Sequence, residues 1–315
     1  MSTLTIVEGI LTPCAPFDFH KTLRFVGDFA PTEGEQTLTA DTIIKAITLN
    51  GRAVALQVRD VGSVEAPRVE YTLFTEHPLS DAEHKALKDR ISFFLSLDDN
   101  LQTFYSIACT DPHFEPVIKA LYGLHQPKFL TPFELACWSV LTQRLPIAIA
   151  HRAKMALAKR WGTSITLPEG TYYAFPEPQQ MASIDRNELA EIVRNVRKVE
   201  YLQAVIDFFN ETDEQYLRTG DYAEVAASIR SIRGIGEWSA SFILARGLGR
   251  TEHTSLSGKE IIKAAARIYG QEMTSADLQN IVDRYGVDQG SWAFYLRASG
   301  IFGYTASTPA ILEAH

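Results

Sequence analysis

Cysteine is scarce: Cys14, Cys109 and Cys137 are the only three in 315 residues. An odd number of widely spaced thiols excludes a disulfide framework, and a four-cysteine zinc or iron–sulfur site within the chain. No H-x-E is followed by C-x-x-C, which removes zinc deaminase chemistry. No metal and no cofactor are expected. Long apolar runs are also missing, and MSTLTIVEG has no basic region ahead of an apolar stretch. Membrane insertion and secretion are therefore not expected, and a cytoplasmic location is. Positive charge is not in excess: 30 basic against 38 acidic residues give a net charge of −8. That balance argues against an indiscriminate polyanion binder. No repeat or low-complexity tract is visible, and 46% apolar with 22% charged residues is ordinary globular composition. The length suffices for two or three units with cores of their own.

The first hundred residues carry strand patterns. LTIVEGIL alternates; TIIKAITL and RAVALQV flank Asn50-Gly51, the pair that suits a type I′ hairpin turn; and VEYTLFT is a further strand. A helical stretch follows from Asp81, with Asp81 read as its N-cap. Residues 1–100 are thus expected to form a small α+β domain. His77 and His84, without ligand-like companions, are read as surface residues.

From residue 101 to 315 the periodicity is helical, and an all-α domain is expected. Pro146 must interrupt the pattern between Phe133 and Trp161, leaving Gln143, Arg144 and Leu145 at a helix end. The segment around Glu177 to Gln180 reads as a Pro-containing loop. Two stretches are basic. Leu141 to Gly162 has Arg144, Arg152, Lys154, Lys159 and Arg160 and no acid; Ile229 to Arg267 has seven basic residues against three acidic. Each is either a solvated helix face or part of an electrostatic footprint for a polyanion.

The most informative stretch runs from Ser231 to Gly249. An amphipathic run, AEVAASIRSI, stops at Gly234-Ile235-Gly236 and a second apolar run begins at once, so two helices meet across a very short turn, a helix-hairpin-helix spanning 223–247. Glycines one residue apart allow positive φ and bring backbone N–H groups to the surface beside the positive end of the second helix, a geometry that suits a phosphate oxygen. Taken alone, the same pattern also fits a Gly-terminated helical turn.

Taken together, these stretches resemble the helix-hairpin-helix DNA glycosylases, and within them the bacterial 3-methyladenine DNA glycosylase II branch. The resemblance rests on PFDFHKTLRFVGDFAPT, on PFELACWSVLTQRLPIAIAHRAKMAL, on RGIGEWSASFILARGLG and on TSADLQNIVDRYGVDQGSWAFYLRA, which together span nearly the whole chain. It implies an N-terminal TATA-binding-protein-like α+β domain, then two α lobes with the active site in the cleft between them. It implies a monomer acting on double-stranded DNA with alkylated or otherwise damaged bases: an enzyme that flips a base out of the stack needs a phosphate anchor, a side chain to fill the gap and a pocket. The anchor would be Arg233, Gly234, Ile235, Gly236 and Ser239. The wedge would be Gln143, Arg144 and Leu145, with Arg144 where the best-known relative has an apolar residue. Trp238, Phe242 and Trp292 would line the base pocket. Trp238 stands where strand-cutting members carry a nucleophilic lysine, so the resemblance implies base removal without strand cleavage.

One expected group is missing. The branch's spacing from Trp238 puts the catalytic aspartate at position 258, and the residue is Gly258. Glu260 is the nearest substitute, although Ser257-Gly258-Lys259-Glu260 also reads as a capping box with Ser257 as N-cap. Two functions stay open: a glycosylase limited to alkylated purines that leave readily, and a lesion-binding protein or inactive variant with little or no excision.

Overall fold

The computed structural model describes residues 4–256 and 258–304. Five strands, β1 (Thr5–Leu11), β2 (Gln36–Leu38), β3 (Thr42–Leu49), β4 (Arg52–Asp60) and β5 (Val69–Thr75), form an antiparallel sheet of order β1-β5-β4-β3-β2. The β3–β4 hairpin turns at Asn50 and Gly51, with φ of 52° and 71°, the positive pair a type I′ turn needs. Helices α1 (Phe19–Gly27) and α2 (Asp81–Leu95) cover one face, burying Phe19, Leu23, Leu87 and Ile91 against Ile43, Leu56 and Leu73.

Among the described residues, the regular structure of the rest of the chain is helical apart from one hairpin. Its helices are α3 (Gln102–Ala108), α4 (Glu115–Ala120), α5 (Pro132–Leu141), α6 (Ile147–Trp161), α7 (Pro178–Ala182), α8 (Arg186–Val193), α9 (Val196–Glu211), α10 (Glu214–Thr219), α11 (Tyr222–Ser231) and α12 (Glu237–Phe242). After them come α13 (Lys259–Tyr269), α14 (Ser275–Val282) and α15 (Gln289–Ile301). Two apolar cores divide these helices. One joins α5 and α6 to α7–α12. The other closes α3 and α4 against α13–α15, so residues just past 100 pack on the end of the chain.

The structure departs from the sequence reading in four places. Strands β6 (Thr163–Leu167) and β7 (Gly170–Ala174) interrupt the stretch expected to be wholly helical. They bury Ile165, Leu167, Tyr172 and Ala174 on Ile44, Ala46 and Ala55, which is why β3 is apolar on both faces. The cap of α2 is Ser80, in a capping box with Glu83, and Asp81 is the first helical residue. His84 is half-buried, its Nε2 2.8 Å from the Tyr71 hydroxyl, whereas His77 is exposed. The segment read as a loop near Glu177 is the start of α7, with Pro178 at its first position.

Buried ion pairs join the sheet domain to the helices. Lys154 Nζ on α6 lies 2.6 Å from both Glu35 and Glu134, and Lys45 on β3 lies 2.8 Å from Glu35. All four side chains are buried, a charge cluster that is tolerable because it is paired internally. Burial raises the Glu35 pKa, but Lys154 and Lys45 outweigh it and hold the carboxyl down at about 2. Lys154 is thereby removed from the basic stretch, and Arg160 is paired with Glu188 and Glu191. Arg144, Arg152 and Lys159 are the members of that stretch left exposed without a carboxylate partner among the described residues.

Candidate functional site

The turn between α11 and α12 is held by backbone shape. Gly234 has φ of +93°, and a Cβ there would stand 2.2 Å from the Tyr201 ring, so both conformation and space require glycine. Gly236 is different: its φ is −87°, it caps α12, and a Cβ would meet nothing within 4 Å. The expectation of two positive-φ glycines is therefore corrected to one. The backbone N–H of Ile235 is satisfied by the Ile232 carbonyl at 3.0 Å. Among the described residues, those of Gly236, Glu237 and Trp238 donate to no backbone carbonyl, and they face outward at the start of α12. Ile235 and Ser239 turn their side chains inward, so they contribute no side chain to a phosphate site. Arg233 is exposed and pairs with Glu200 at 2.8 Å.

The loop between α5 and α6 lies beside this turn. Gln143 Nε2 donates to the Gly234 carbonyl at 2.7 Å. Arg144 has φ of +54° and Pro146 caps α6, so the chain reverses over two residues in αL and polyproline geometry. The reversal leaves Arg144, Leu145, Ile147 and Ile149 exposed. Trp238, 55% exposed, adds another large apolar surface. Buried Lys198 donates to the Leu141 carbonyl at 2.5 Å and fixes the end of α5 from which the loop departs.

A cavity of about 360 Å³ opens beside α12. Trp238 and Phe242, four residues apart on the helix, stack with centroids 5.3 Å apart and form one wall with Phe25, Phe29 and Phe294. Gly258 also lines the cavity, as N-cap of α13, with no side-chain cap. Glu260, on the first turn of α13, reaches the rim; its side chain is 85% exposed and lies 3.9 Å from Lys263. Ser257, the proposed cap, lies outside the described residues. Trp292 is not in the cavity wall. It is fully buried among Phe114 and Tyr285, and its indole N–H donates to the Tyr269 hydroxyl at 3.3 Å. Its correction is physical: that face of α15 is turned into the core that α15 shares with α3 and α4, and Phe294 and Arg297 face the cavity instead.

Sequence reading missed Phe25, Phe29, Arg246, Phe294 and Arg297. Phe25 and Phe29 sit four apart in LRFVGDF, a spacing that marks one helical face but not what it faces. Arg246 was counted with the surface charges, yet it is only 8% exposed. It lies in a π-helical turn, Ile243–Gly247, closed by Leu248 N–H on the Ile243 carbonyl at 3.0 Å. That wider turn brings its guanidinium over the rings of Phe25 and Phe29, at 5.1 and 4.5 Å. Burial, and then Arg297, lower its pKa to about 9.

A larger cavity of about 450 Å³ lies between the sheet and α5, α7, α9 and α10. Its charged groups already serve the fold: Arg90 pairs with Glu214 at 2.8 Å, and Glu177 accepts from the backbone N–H groups of Asn50 and Gly51. Among the described residues no group of His, Cys, Asp and Glu side chains could hold a metal ion, and no helix is long and apolar enough to cross a membrane.

No family model matches the chain. Among curated proteins, 173 of its residues are 28% identical to a DNA-3-methyladenine glycosylase of Bacillus subtilis (strain 168), a match covering 54% of this chain and 57% of that one. The chain thus spans little more than half the length of this relative. Among solved structures it superimposes on a 3-methyladenine DNA glycosylase from Archaeoglobus fulgidus with a TM-score of 0.74 at 20% identity, over 93% of this chain and 98% of that one. An 8-oxoguanine glycosylase/lyase of Clostridium acetobutylicum, in complex with double-stranded DNA, gives a TM-score of 0.67 at 15% identity over 96% and 99%. The fold is shared nearly end to end with DNA glycosylases of different base preference.

Proposed function

We propose that this chain, which has the fold of the helix-hairpin-helix DNA glycosylases, acts in base excision repair as a monofunctional protein that flips a damaged purine, alkylated purines included, out of duplex DNA. The carrying observation is one juxtaposition: the outward N–H groups of the α11–α12 turn, the exposed loop tied to that turn by Gln143, and the aromatic cavity begun by Trp238 lie along one helix start. Phosphate is gripped by backbone without reading sequence; the loop fills the gap left by the base; and the stacked indole receives it. DNA binds one monomer, and its damaged base is the only ligand needed.

For chemistry, the electron pair of the C1′–N9 bond must leave with the base while water adds to C1′ and gives up a proton, to the departing base where that base is neutral and to solvent where it is cationic. Trp238 supplies no amine, so the product is an abasic site with an intact strand. Gly258 supplies no carboxylate to stabilise the sugar cation, an omission that costs about 3–4 kcal/mol for a single electrostatic stabiliser. This favours a second reading, a protein that holds lesions and excises slowly or not at all. A single-turnover assay on duplexes carrying alkylated or deaminated purines tests both: released base above the protein-free rate supports the enzyme, and lesion-selective binding without release supports the binder. Equal affinity for damaged and undamaged duplex overturns both.

A further inference from the structure

The cavity is cationic. Arg246 and Arg297 both line it, and among the described residues neither guanidinium has a carboxylate within 4 Å or donates a hydrogen bond. Arg246 is more than nine-tenths buried, and among the described residues its Nε has no acceptor. An unpaired buried donor is costly, and one that persists in a cavity lining calls for a partner, such as a bound group that accepts from the same guanidinium. Arg297 stands on α15 in the solvent-reachable part of the same cavity, and the protein around it lowers its pKa, as Arg297 in turn does for Arg246. Glu260 is the only carboxylate among the described lining residues, and it turns to solvent and Lys263.

We propose that this arginine pair makes the cavity select neutral purines that present carbonyl and ring-nitrogen acceptors, such as hypoxanthine, and disfavour bases carrying a formal positive charge. The proposal rests on the base-flipping function argued above. A cavity of about 360 Å³ holds one base against its walls. A positive charge on that base then faces two full charges, against which the quadrupole of a single indole face is the weaker attraction. An oxopurine offers O6 and N7 on one edge, the pattern a guanidinium fork satisfies with two hydrogen bonds. Arg246 is packed beside the stacked Phe25–Phe29 pair, its Cζ 5.1 and 4.5 Å from the two ring centroids, so the guanidinium is held at the aromatic wall where a base edge would lie.

The test is equilibrium binding of the full chain to three duplexes of one sequence, carrying hypoxanthine, 7-methylguanine or undamaged guanine. Wild type should bind the hypoxanthine duplex more tightly than the 7-methylguanine duplex. Arg297→Met, partly exposed and therefore tolerated by the fold, should reduce that ratio by about tenfold, the loss expected for a charge-assisted hydrogen bond. The ratio between variants cancels the differing ease with which each DNA releases its base. Arg246→Met should act in the same direction, with melting temperature reporting any loss of fold. A wild-type preference for the 7-methylguanine duplex, or an unchanged ratio in a folded Arg297→Met protein, overturns the proposal and leaves the base-flipping function standing. Equal binding of all three duplexes by wild type instead refutes that function.

Discussion

Gln143 and Gly234 are 91 residues apart in sequence, and the side-chain amide of one donates to the backbone carbonyl of the other at 2.7 Å. The bond ties the exposed loop to the α11–α12 turn, so under the proposed function a duplex held at the turn would meet Arg144 and Leu145 in fixed register. Gln143→Ala removes a single half-buried hydrogen bond, worth about 1 kcal/mol. Affinity for a duplex with an abasic site should fall about fivefold, while the melting temperature moves little. A folded variant with wild-type affinity would show that loop and turn act separately.

The two glycines of the turn should separate in a mutational test. Gly234→Ala forces a Cβ against Tyr201 at positive φ and should cost about 1–3 kcal/mol of stability, measured by urea unfolding. Gly236→Glu has open space and an ordinary φ, so it should fold normally. Its carboxylate would nevertheless stand among the N–H groups proposed to hold phosphate, and duplex binding should weaken by tenfold or more at moderate salt. Normal binding by folded Gly236→Glu would move the DNA contact away from this turn.

How much of this was legible depended on whether a residue's neighbours are local. The hairpin turn at Asn50-Gly51, the break at Pro146 and the α11–α12 turn are dictated by φ preferences within a few residues, and the sequence states them. Trp238 and Phe242 share a wall because they are one helical turn apart. Trp292 could not be placed this way: both faces of α15 are apolar, and only the packing of α3 and α4 decides which one is core. The β6–β7 hairpin was missed for the same reason, since its stability comes from covering β3 and β4 more than a hundred residues earlier. Lys154 and Arg246 looked like surface charge because a sequence shows sign and not depth.

The ion cluster at Lys154 makes stability pH-dependent. Glu35 is held at about 2 in the folded protein against an ordinary 4.5. Its contribution is therefore complete above pH 4.5 and is lost as pH falls from there through 2. Lys154→Met leaves Glu134 without its buried partner and Glu35 with Lys45 alone, and should cost about 3–5 kcal/mol at pH 7. It should also raise the Glu35 pKa, so that the variant loses less stability than wild type between pH 7 and 4. Parallel urea-midpoint profiles of the two proteins across that range would contradict the coupling.

Trp238 stands on the first turn of α12 and lines the cavity. Borohydride added during reaction with a lesion duplex should trap no covalent protein–DNA adduct, because no amine stands on that helix turn facing the cavity. Trp238→Ala should reduce discrimination between damaged and undamaged duplex by about 1–3 kcal/mol, the value of one base–aromatic stack. A trapped adduct would mean that a lysine elsewhere acts as nucleophile.

Gly258 separates the two readings of the site. It caps α13 with φ of −82°, and a Cβ built there meets nothing within 4 Å, so an aspartate fits in both backbone and space. At a helix N-terminus the field of the backbone keeps a carboxylate ionised, and Asp is a better cap than Gly by a few tenths of a kcal/mol. Gly258→Asp should therefore fold at least as well as wild type. It places a negative charge on the cavity lining, where under the proposed function charge would develop on the sugar as the base departs. Restoring about 3–4 kcal/mol of electrostatic stabilisation corresponds to a rise of about 10²–10³ in single-turnover excision. The gain should be larger for hypoxanthine than for 7-methylguanine, whose own charge already assists departure. Glu260→Gln in the unmodified protein is the control. Its side chain is solvent-exposed, and residual excision should not change; a large drop with unaltered binding would make Glu260 the acting carboxylate. If Gly258→Asp folds, binds lesion DNA and releases neither base, the cavity is a receptor for flipped bases, and the excision reading falls.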